Sequence, residues 1–322
     1  MVTIQLIVIF SVICVAVVNG WTDAPNAITS VVCSGALRYR SAVGLAVVFN
    51  LIGAAAAGLL LPGVTQTMGE IADFGTDNPY LAMVGVSCAL LTVALWGTAA
   101  WVLGIPTSES HALIAAVAGV STAIGGFDLR SAAWLRVGVG LVLSIALGWL
   151  GGRWFWRLLA GAAGRLGKGQ SRGLQIAAAG GMSLLHGAQD GQKFAAMLLA
   201  AGAAKGGSPF GAVLLCSVAI ALGTSIGGRR IIERVGQQMV QLDAVSGICS
   251  DMGAAVSLLV STLLGLPVST SHVKVSAVAG VGGAQGKGRL NLRSFGGIVA
   301  AWLLTFPACF AAAYLAVRWI TG

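Results

Sequence analysis

Charged residues are scarce in this sequence of 322 residues, since lysine, arginine, aspartate and glutamate together make up only 9% of it. A soluble globular domain carries about 25% charged residues, so this chain cannot cover a surface that faces water. Hydrophobic residues make up 57% of the sequence, and its mean hydropathy is +0.90. The composition therefore excludes a soluble domain and predicts an integral membrane protein that lies in a lipid bilayer.

Acidic residues are the scarcest charged type, with 10 against 19 lysines and arginines. The net charge of +9 does not indicate a nucleic-acid partner, because the basic residues gather in short connections, as cytoplasmic loops require. Cysteine is also rare, and its six copies lie inside apolar stretches without the spacing of a disulfide framework or a zinc site. We therefore expect no nucleic acid, no disulfide and no cysteine-bound metal.

Ten apolar runs, five in each half, predict an all-α membrane protein with about ten membrane segments. A spanning helix needs roughly 20 apolar residues, so the first run is too long for one plain span. Pro25 lacks the amide hydrogen that a helix interior needs, and we expect it to divide this run into two half-helices. Residues 2–18 lack a basic region at their start, which favours a first membrane helix over a signal peptide. The runs cover residues 2–37, 41–61, 80–103, 111–125, 131–151, 174–204, 209–226, 245–264, 272–286 and 295–318.

Two polar motifs interrupt these runs, and each occurs once in each half. The segment Asn19–Asn26 reads NGWTDAPN, and 167 residues later His186–Lys193 reads HGAQDGQK. Further along each half, Gly104–His111 reads GIPTSESH and Gly265–His272 reads GLPVSTSH. Paired interruptions at corresponding points of two halves are the best sequence pointer to the binding site of a secondary transporter. We therefore predict broken helices at the first motif and a helical hairpin at the second motif of each half.

The charges of the loops predict the orientation of the chain. The linker at 152–173 holds five basic residues and no acidic one, so it belongs in the cytoplasm. The basic clusters near residues 38, 230 and 289 belong on the same side, and the acidic loop at 70–77 belongs outside. These placements agree only if each pair of segments around the serine-rich second motif crosses an even number of times, either by spanning twice or by returning as a re-entrant hairpin. Each half then crosses the membrane an odd number of times, which inverts one half relative to the other. We expect an N-terminal repeat at 1–151, an inverted C-terminal repeat at 174–322, and both termini outside the plasma membrane.

Asp23 and Asp190 occupy equivalent places in the two broken helices. Insertion of an ionised carboxylate at the centre of a membrane costs about 2.5–3.5 kcal/mol of free energy. A structural or functional role must therefore offset this cost for each aspartate. Capping of the following helix is one reason, but a cap alone does not require Asn26 or Gln192 beside it. Carboxylate and amide oxygens, joined by carbonyls freed at the break, predict a hard-cation site for sodium or a proton. If the cation is sodium, its ligands are expected from Asp23, Asn26 and Asp190.

The two Pro-x-Ser-x-x-His segments predict an anion site. Helix N-termini present free amide donors and a partial positive charge, and therefore bind anions. Serine and threonine hydroxyls add donors without a fixed charge that would trap the ligand, although they also serve as simple helix caps. Two such tips meeting at the midplane could surround a tetrahedral oxyanion. The candidate ligands are Thr107, Ser108, Glu109, Ser110, Ser269, Thr270 and Ser271.

Several other polar residues are expected to support these sites. The three histidines are expected to brace helix ends by hydrogen bonds, with proton handling as the second possibility. Lys193 is interpreted as the counter-charge of Asp190, whereas Lys274 either meets the substrate or extends to the membrane surface. Asp251 lies on the entering arm of the second hairpin. The histidines are His111, His186 and His272.

With these motifs the chain resembles the inorganic phosphate transporter (PiT) family over nearly its whole length. The resemblance implies an inverted-repeat fold, often dimeric, which holds phosphate between hairpin tips and broken helices. Members of the family couple transport to sodium or to protons, and some carry sulfate, so the resemblance leaves the coupling ion and the exact anion open. The sequence departs from the family at three positions. The family usually has Asn in place of Gln189, Ser or Thr in place of Glu109, and Glu in place of Asp251. The implied cation ligands are Asp23, Asn26, Asp190 and Gln192, and the implied anion ligands are Ser108, Ser110, Ser269, Thr270 and Ser271.

We therefore expect a secondary active transporter that imports phosphate by alternating access with sodium or protons, or alternatively a sulfate permease of the same fold. Glu109 would repel sulfate, which has no proton to donate at neutral pH, or would itself carry the coupling proton. An intramembrane enzyme is disfavoured, because a nucleophile and its base form one asymmetric set and this chain has two matching sets. A passive channel is the remaining alternative. No cofactor is expected.

Overall fold

Residues 2–126, 131–162, 165–202, 209–226 and 228–322 are described in a computed structural model of the protein. Within these ranges the regular elements are helices. They are α1 (Val2–Thr22), α2 (Ala24–Cys33), α3 (Tyr39–Leu60), α4 (Gly63–Ile71), α5 (Pro79–Val102), α6 (Glu109–Ile124), α7 (Ala132–Leu159), α8 (Lys168–Ala200), α9 (Pro209–Ile226), α10 (Arg229–Glu233), α11 (Ala244–Leu263), α12 (Thr270–Gln285) and α13 (Leu292–Thr321), with a π-helical turn at Arg234–Met239 after α10.

Six spans in the described part of the chain are long and apolar enough to cross a membrane: α1 with α2, α3, α5, α7, α11 and α13. A seventh is formed if α9 and the following short helix, bent by 72°, count as one span. Leu95, Val142 and Leu303 project outward from α5, α7 and α13 and are 69–73% exposed, as lipid-facing side chains are. The protein is therefore a multi-pass membrane protein, as predicted.

The two hairpins have one buried arm each that is too short to cross the bilayer. Helices α6 and α12 have 16 residues each, which at about 1.5 Å per residue gives roughly 24 Å against a hydrocarbon core of about 30 Å. Each begins at a Ser-rich turn inside the protein. In the described part of the chain all ten predicted apolar runs fall on helices, and the hairpin tips are buried inside the protein.

The two halves repeat the same backbone. A separation of 161 residues relates Ser108 to Ser269, and the same separation relates the ends of α5 and α11 and both ends of α6 and α12. Gly104 and Gly265 open the two turns with φ of 65° and 64°, a left-handed conformation that glycine adopts without steric cost. The hairpins are therefore two copies of one structure.

The halves also interlock. Helix α1 packs on α9 and α3 packs on α8, while α6 packs on α13 and α7 packs on α12. Each helix of the first half thus packs on a helix of the second half, and the exchange is reciprocal. Reciprocal packing of this kind is what two structural repeats related by a pseudo-two-fold axis produce.

The structure corrects the expectation that both motif-bearing helices are broken. The interruption between α1 and α2 is limited to Asp23, whose backbone stays right-handed with φ −98° and ψ −41°. Helix α8 runs without a break through His186–Lys193, because this copy has no proline. Helices also extend into the predicted linker at 152–173, whose residues 163–164 lie outside the described part, and α4 occupies a stretch taken to be a loop.

Candidate functional site between the hairpin tips

The two hairpin tips touch each other. The hydroxyl oxygens of Ser108 and Ser269 are 2.6 Å apart, and both residues are fully buried. Each serine also caps the helix that follows it, since the backbone N–H of His111 donates to Ser108 Oγ at 3.0 Å and that of His272 donates to Ser269 Oγ at 3.0 Å. The N-termini of α6 and α12, with their partial positive charges, therefore converge on one point.

Asp23 and Asp190 lie together beside the tips. Asn19 Nδ2 donates to Asp23 Oδ2 at 3.3 Å and to Asp190 Oδ2 at 3.1 Å. Thr270 Oγ1 donates to the same two oxygens at 3.4 and 3.3 Å. Because two donors bridge both carboxylates, the paired motifs of the two halves form one site.

The second tip rests on the junction of α1 and α2. The Ser271 hydroxyl donates to Asp23 Oδ1, and Asn26 Nδ2 donates to Ser271 Oγ at 2.8 Å. The side-chain amide oxygens (Oδ1) of Asn19 and Asn26 are buried without a hydrogen-bond partner. A buried acceptor without a partner costs about 1–3 kcal/mol, and hard cations take oxygen ligands. The residues therefore fit a cation next to the two carboxylates.

Lys193 links the cation side to both tips. Its Nζ donates to Asp190 Oδ1 at 2.8 Å, to Ser110 Oγ at 2.7 Å and to the carbonyl of Val268 at 2.6 Å. The lysine is therefore the counter-charge of Asp190, as the sequence suggested, and it also fastens α8 to one residue of each tip.

His186 supplies a further candidate ligand atom. Its Nε2 lies 3.3 Å from Asp190 Oδ2, and its Nδ1 lies 3.2 Å from Asn50 Oδ1. The ligand atoms of Asp23, His186 and Asp190 all lie within 4.8 Å of one another. The sequence predicts Asn26 as a cation ligand and His186 as a brace of the helix. The position of His186 is compatible with either role for this histidine.

Comparisons with known proteins identify the family to which the chain belongs. The sequence profile described as "Phosphate transporter family" matches residues 19–168 and again residues 163–313. The chain belongs to the phosphate transporter family. This confirms the resemblance drawn from the motifs, and because the family is one of transporters, the protein is not an enzyme.

Similar members of the family cover almost the whole chain. A probable low-affinity inorganic phosphate transporter of Rhizobium meliloti (strain 1021) is 36% identical, with 90% of this chain and 88% of that protein aligned. One of Bacillus subtilis (strain 168), described in the same words, is 32% identical, with 90% and 89% aligned. A solved structure named the sodium-dependent phosphate transporter has the same fold, with a TM-score of 0.87, 23% identity and 99% of both chains covered.

Gln192 does not join the cation group of this family member, which corrects a prediction. Its Oε1 accepts hydrogen bonds from the backbone N–H and the hydroxyl of Thr65, at 3.2 and 3.3 Å, so it faces α4. Residues two apart on a helix point to different sides. Since α8 is continuous, Gln192 cannot point the same way as Asp190.

Thr107 and Glu109 also point away from the meeting point of the tips. Thr107 lines an apolar pocket with residues of α5 and α13. Glu109 is buried, lies against Gly97 and accepts a hydrogen bond from Thr22 Oγ1 at 3.2 Å. Its carboxyl group faces α1 and α5, so any role of Glu109 in choosing the anion stays a prediction.

Two of the histidines support the tips by ring packing, and the Nδ1 atom of His111 has no hydrogen-bond partner. The rings of His111 and His272 meet edge to face with centroids 5.3 Å apart. The His272 ring lies 4.1 Å from that of Trp302, and neither of its nitrogens has a hydrogen-bond partner. These contacts hold the first turns of α6 and α12 together.

Gln189 is a site residue whose role the sequence reasoning missed. Its Nε2 donates to Thr262 Oγ1 at 2.9 Å and to the carbonyl of Leu266 at 3.3 Å, and its Oε1 accepts from the N–H of Val268 at 3.4 Å. It therefore holds the turn of the second hairpin against α8. The position of Gln189 inside the repeated motif His186–Lys193 is the feature of the sequence that points to a role in the site.

Lys274 is neither at the substrate position nor at the membrane surface, which corrects both alternatives drawn from the sequence. It is fully buried and forms an ion pair with Asp251. The reason is its position on α12, three residues beyond Ser271, where the helix is enclosed by α2 and α11.

Proposed function

We propose that this protein imports inorganic phosphate across the plasma membrane by alternating access, coupled to a cation bound by Asp23 and Asp190. The observation that carries the proposal is the contact of Ser108 with Ser269, 2.6 Å long, next to two carboxylates that share their hydrogen-bond donors. Two tips with hydroxyl donors and helix N-termini form an anion site that can open when the tips part.

The anion site holds phosphate mainly through hydroxyl groups. Ser108, Ser110, Ser269 and Ser271 lie at the tips, and the nearest cation, Lys193, is already paired with Asp190. Hydrogen bonds to a charged group contribute roughly 1.5–3 kcal/mol each, so several hydroxyl donors bind phosphate selectively without a fixed positive charge that would trap it. A transporter requires such reversibility, because the anion must leave on the other side.

The coupling follows from donors that the two sites share. Thr270 and Ser271 both donate to Asp23, and they belong to the same tip as Ser269. A cation that binds between Asp23 and Asp190 takes the place of these donors, which frees both hydroxyls for phosphate. Binding of the cation therefore strengthens binding of phosphate, and binding of phosphate strengthens binding of the cation. Symport requires this mutual dependence.

We propose sodium as the coupling ion, with the proton as the alternative. Carboxylate, amide and hydroxyl oxygens are ligands of hard cations, and the solved relative is named as sodium-dependent. The similar relatives are named for phosphate, so sulfate is not favoured as the transported anion. A homodimer and outward-facing termini stay predictions.

Uptake of radiolabelled phosphate into proteoliposomes tests the function, with sodium and proton gradients imposed separately. We expect accumulation above the external concentration under an inward sodium gradient, loss of accumulation when the gradient is dissipated, and weak competition by sulfate. Simple equilibration under both gradients would indicate a channel and contradict the proposal. Accumulation driven by the proton gradient alone would replace sodium as the coupling ion.

A further inference from the structure

A second buried group of polar residues lies outside the site between the tips. We call it the Asp251 pocket, and it brings together residues of α2, α8, α11 and α12. All of its members have an exposed fraction of 0%. They are Ser30, Gln175, Ser250, Asp251 and Lys274.

The Lys274 ammonium is surrounded by oxygen atoms. It pairs with Asp251 Oδ1 and donates to Ser250 Oγ at 3.2 Å and to Ser30 Oγ at 3.3 Å. The other carboxylate oxygen of Asp251 accepts from Ser30 Oγ at 2.5 Å and from Gln175 Nε2 at 2.8 Å. A carboxylate and two hydroxyls around one point are the ligand types that a hard monovalent cation requires.

The Asp251 pocket continues the site between the tips along the same two helices. Ser30 lies four residues after Asn26 on α2, and Lys274 lies three residues after Ser271 on α12. Asn26 and Ser271 are hydrogen-bonded to each other at 2.8 Å. The pocket is therefore about one helical turn, roughly 5.4 Å, from the cation side of the transport site.

The first half of the chain shows that the fold does not need charges at this place. Residues 161 apart occupy equivalent positions in the two hairpins. Leu90 is therefore the counterpart of Asp251, and Leu113 is the counterpart of Lys274. The first motif repeats after 167 residues, so Met197 is the counterpart of Ser30. These three apolar residues, and Val8 as the equivalent of Gln175, are all 0% exposed and belong to one hydrophobic cluster.

A buried ion pair is weak support for stability, because desolvation of the two charges offsets their attraction. Since apolar residues fill the same position in the first half, packing does not account for Asp251 and Lys274. The Lys274 ammonium is surrounded by oxygen atoms, and the first half has no equivalent charge. We therefore look for the function of Lys274 in its positive charge.

We propose that the Asp251 pocket is a second monovalent-cation site and that the Lys274 ammonium is the cation that occupies it. The tethered ammonium keeps a positive charge one turn from Asp23 throughout the transport cycle and is never released. The ammonium also excludes a solute cation from the Asp251 pocket. The protein therefore binds one sodium ion fewer than it would if this pocket were open. Removing the ammonium should open the pocket to sodium.

Sodium binding to the purified full-length protein tests the proposal, with radiolabelled sodium, no phosphate, and choline to keep the ionic strength constant. We expect K274M and Lys274→Gln to bind one more sodium per chain than the original protein. Their thermal unfolding temperature should rise with sodium concentration above the level seen in the original protein, because a ligand that binds the folded state stabilises it. The double variant D251N/K274M should return to the original count.

The matched control is Leu113→Met, which makes the corresponding position in the first half carry the same side chain as K274M. It should bind no additional sodium. An unchanged sodium count in folded K274M and Lys274→Gln would overturn the proposal. So would failure of both single variants to fold in any salt while D251N/K274M folds, because a solute cation would then not replace the ammonium. The count does not depend on which anion is transported.

Discussion

Replacing Asp190 with asparagine should abolish phosphate accumulation and destabilise the protein by about 3–5 kcal/mol. The destabilisation is expected because Lys193 has an exposed fraction of 1% and would lose the carboxylate with which it is paired, and removing one partner of a buried ion pair is strongly destabilising. The loss of accumulation is expected because one of the two cation-binding carboxylates is removed. Uptake in proteoliposomes and thermal unfolding in detergent measure the two effects.

A double variant separates these two effects. In D190N/K193M the buried charges are removed together, so we expect most of the stability to return while accumulation stays absent. Glu70→Gln is the control for loss of a carboxylate, since Glu70 is half exposed and lies 3.5 Å from Arg136 in a surface ion pair, a type worth about 0–1 kcal/mol. Cation-driven accumulation by D190N would reject Asp190 as a ligand.

Gly187→Ala should destabilise the protein and reduce transport, although the change adds only one methyl group. A Cβ atom at Gly187 would lie 2.1 Å from the carbonyl oxygen of Asn50 on α3, so α3 and α8 would have to separate. Small residues at such contacts allow helices to approach closely in membranes. Overpacking costs about 1–3 kcal/mol, and the shift would move His186 and Asp190, which flank the contact. Unfolding and uptake measure the result.

Gly181→Ala provides the matched control on the same helix, since a Cβ atom there would have no atom of a neighbouring helix within 4 Å. Alanine is favoured over glycine in a helix interior by about 0.5–1 kcal/mol, so this variant should be neutral or slightly more stable. If both alanine variants have the same stability and activity, the close contact of α3 with α8 does not position the site.

The convergence of the polar motifs could be predicted from the sequence because these motifs stand out against apolar helices. The two Pro-x-Ser-x-x-His segments mark the tips, and the buried serines Ser108 and Ser269 meet as expected for two inverted copies. Asp23 and Asp190 could be paired for the same reason. A duplicated motif in an inverted repeat places both copies near the pseudo-symmetry axis.

The direction of single side chains could not be predicted, because it depends on whether a helix is broken. A break at the second motif would have let Gln192 turn toward Asp190. The continuous α8 instead directs it to Thr65 on α4, a helix in a stretch whose acidic residues suggested a loop. The partner of Lys274 was equally hidden, since Asp251 lies on a different arm of the hairpin and only the fold brings the two together.

Oxidative cross-linking of Ser108→Cys with Ser269→Cys, in a variant without the six native cysteines, tests most directly that one pocket is shared by the two halves. The serine oxygens are 2.6 Å apart, close to the sulfur–sulfur bond length of about 2.0 Å. We predict an intramolecular disulfide, seen by mass spectrometry of the linked peptides, whose formation phosphate slows. Two thiols that each react with a small reagent but never cross-link would contradict the shared pocket.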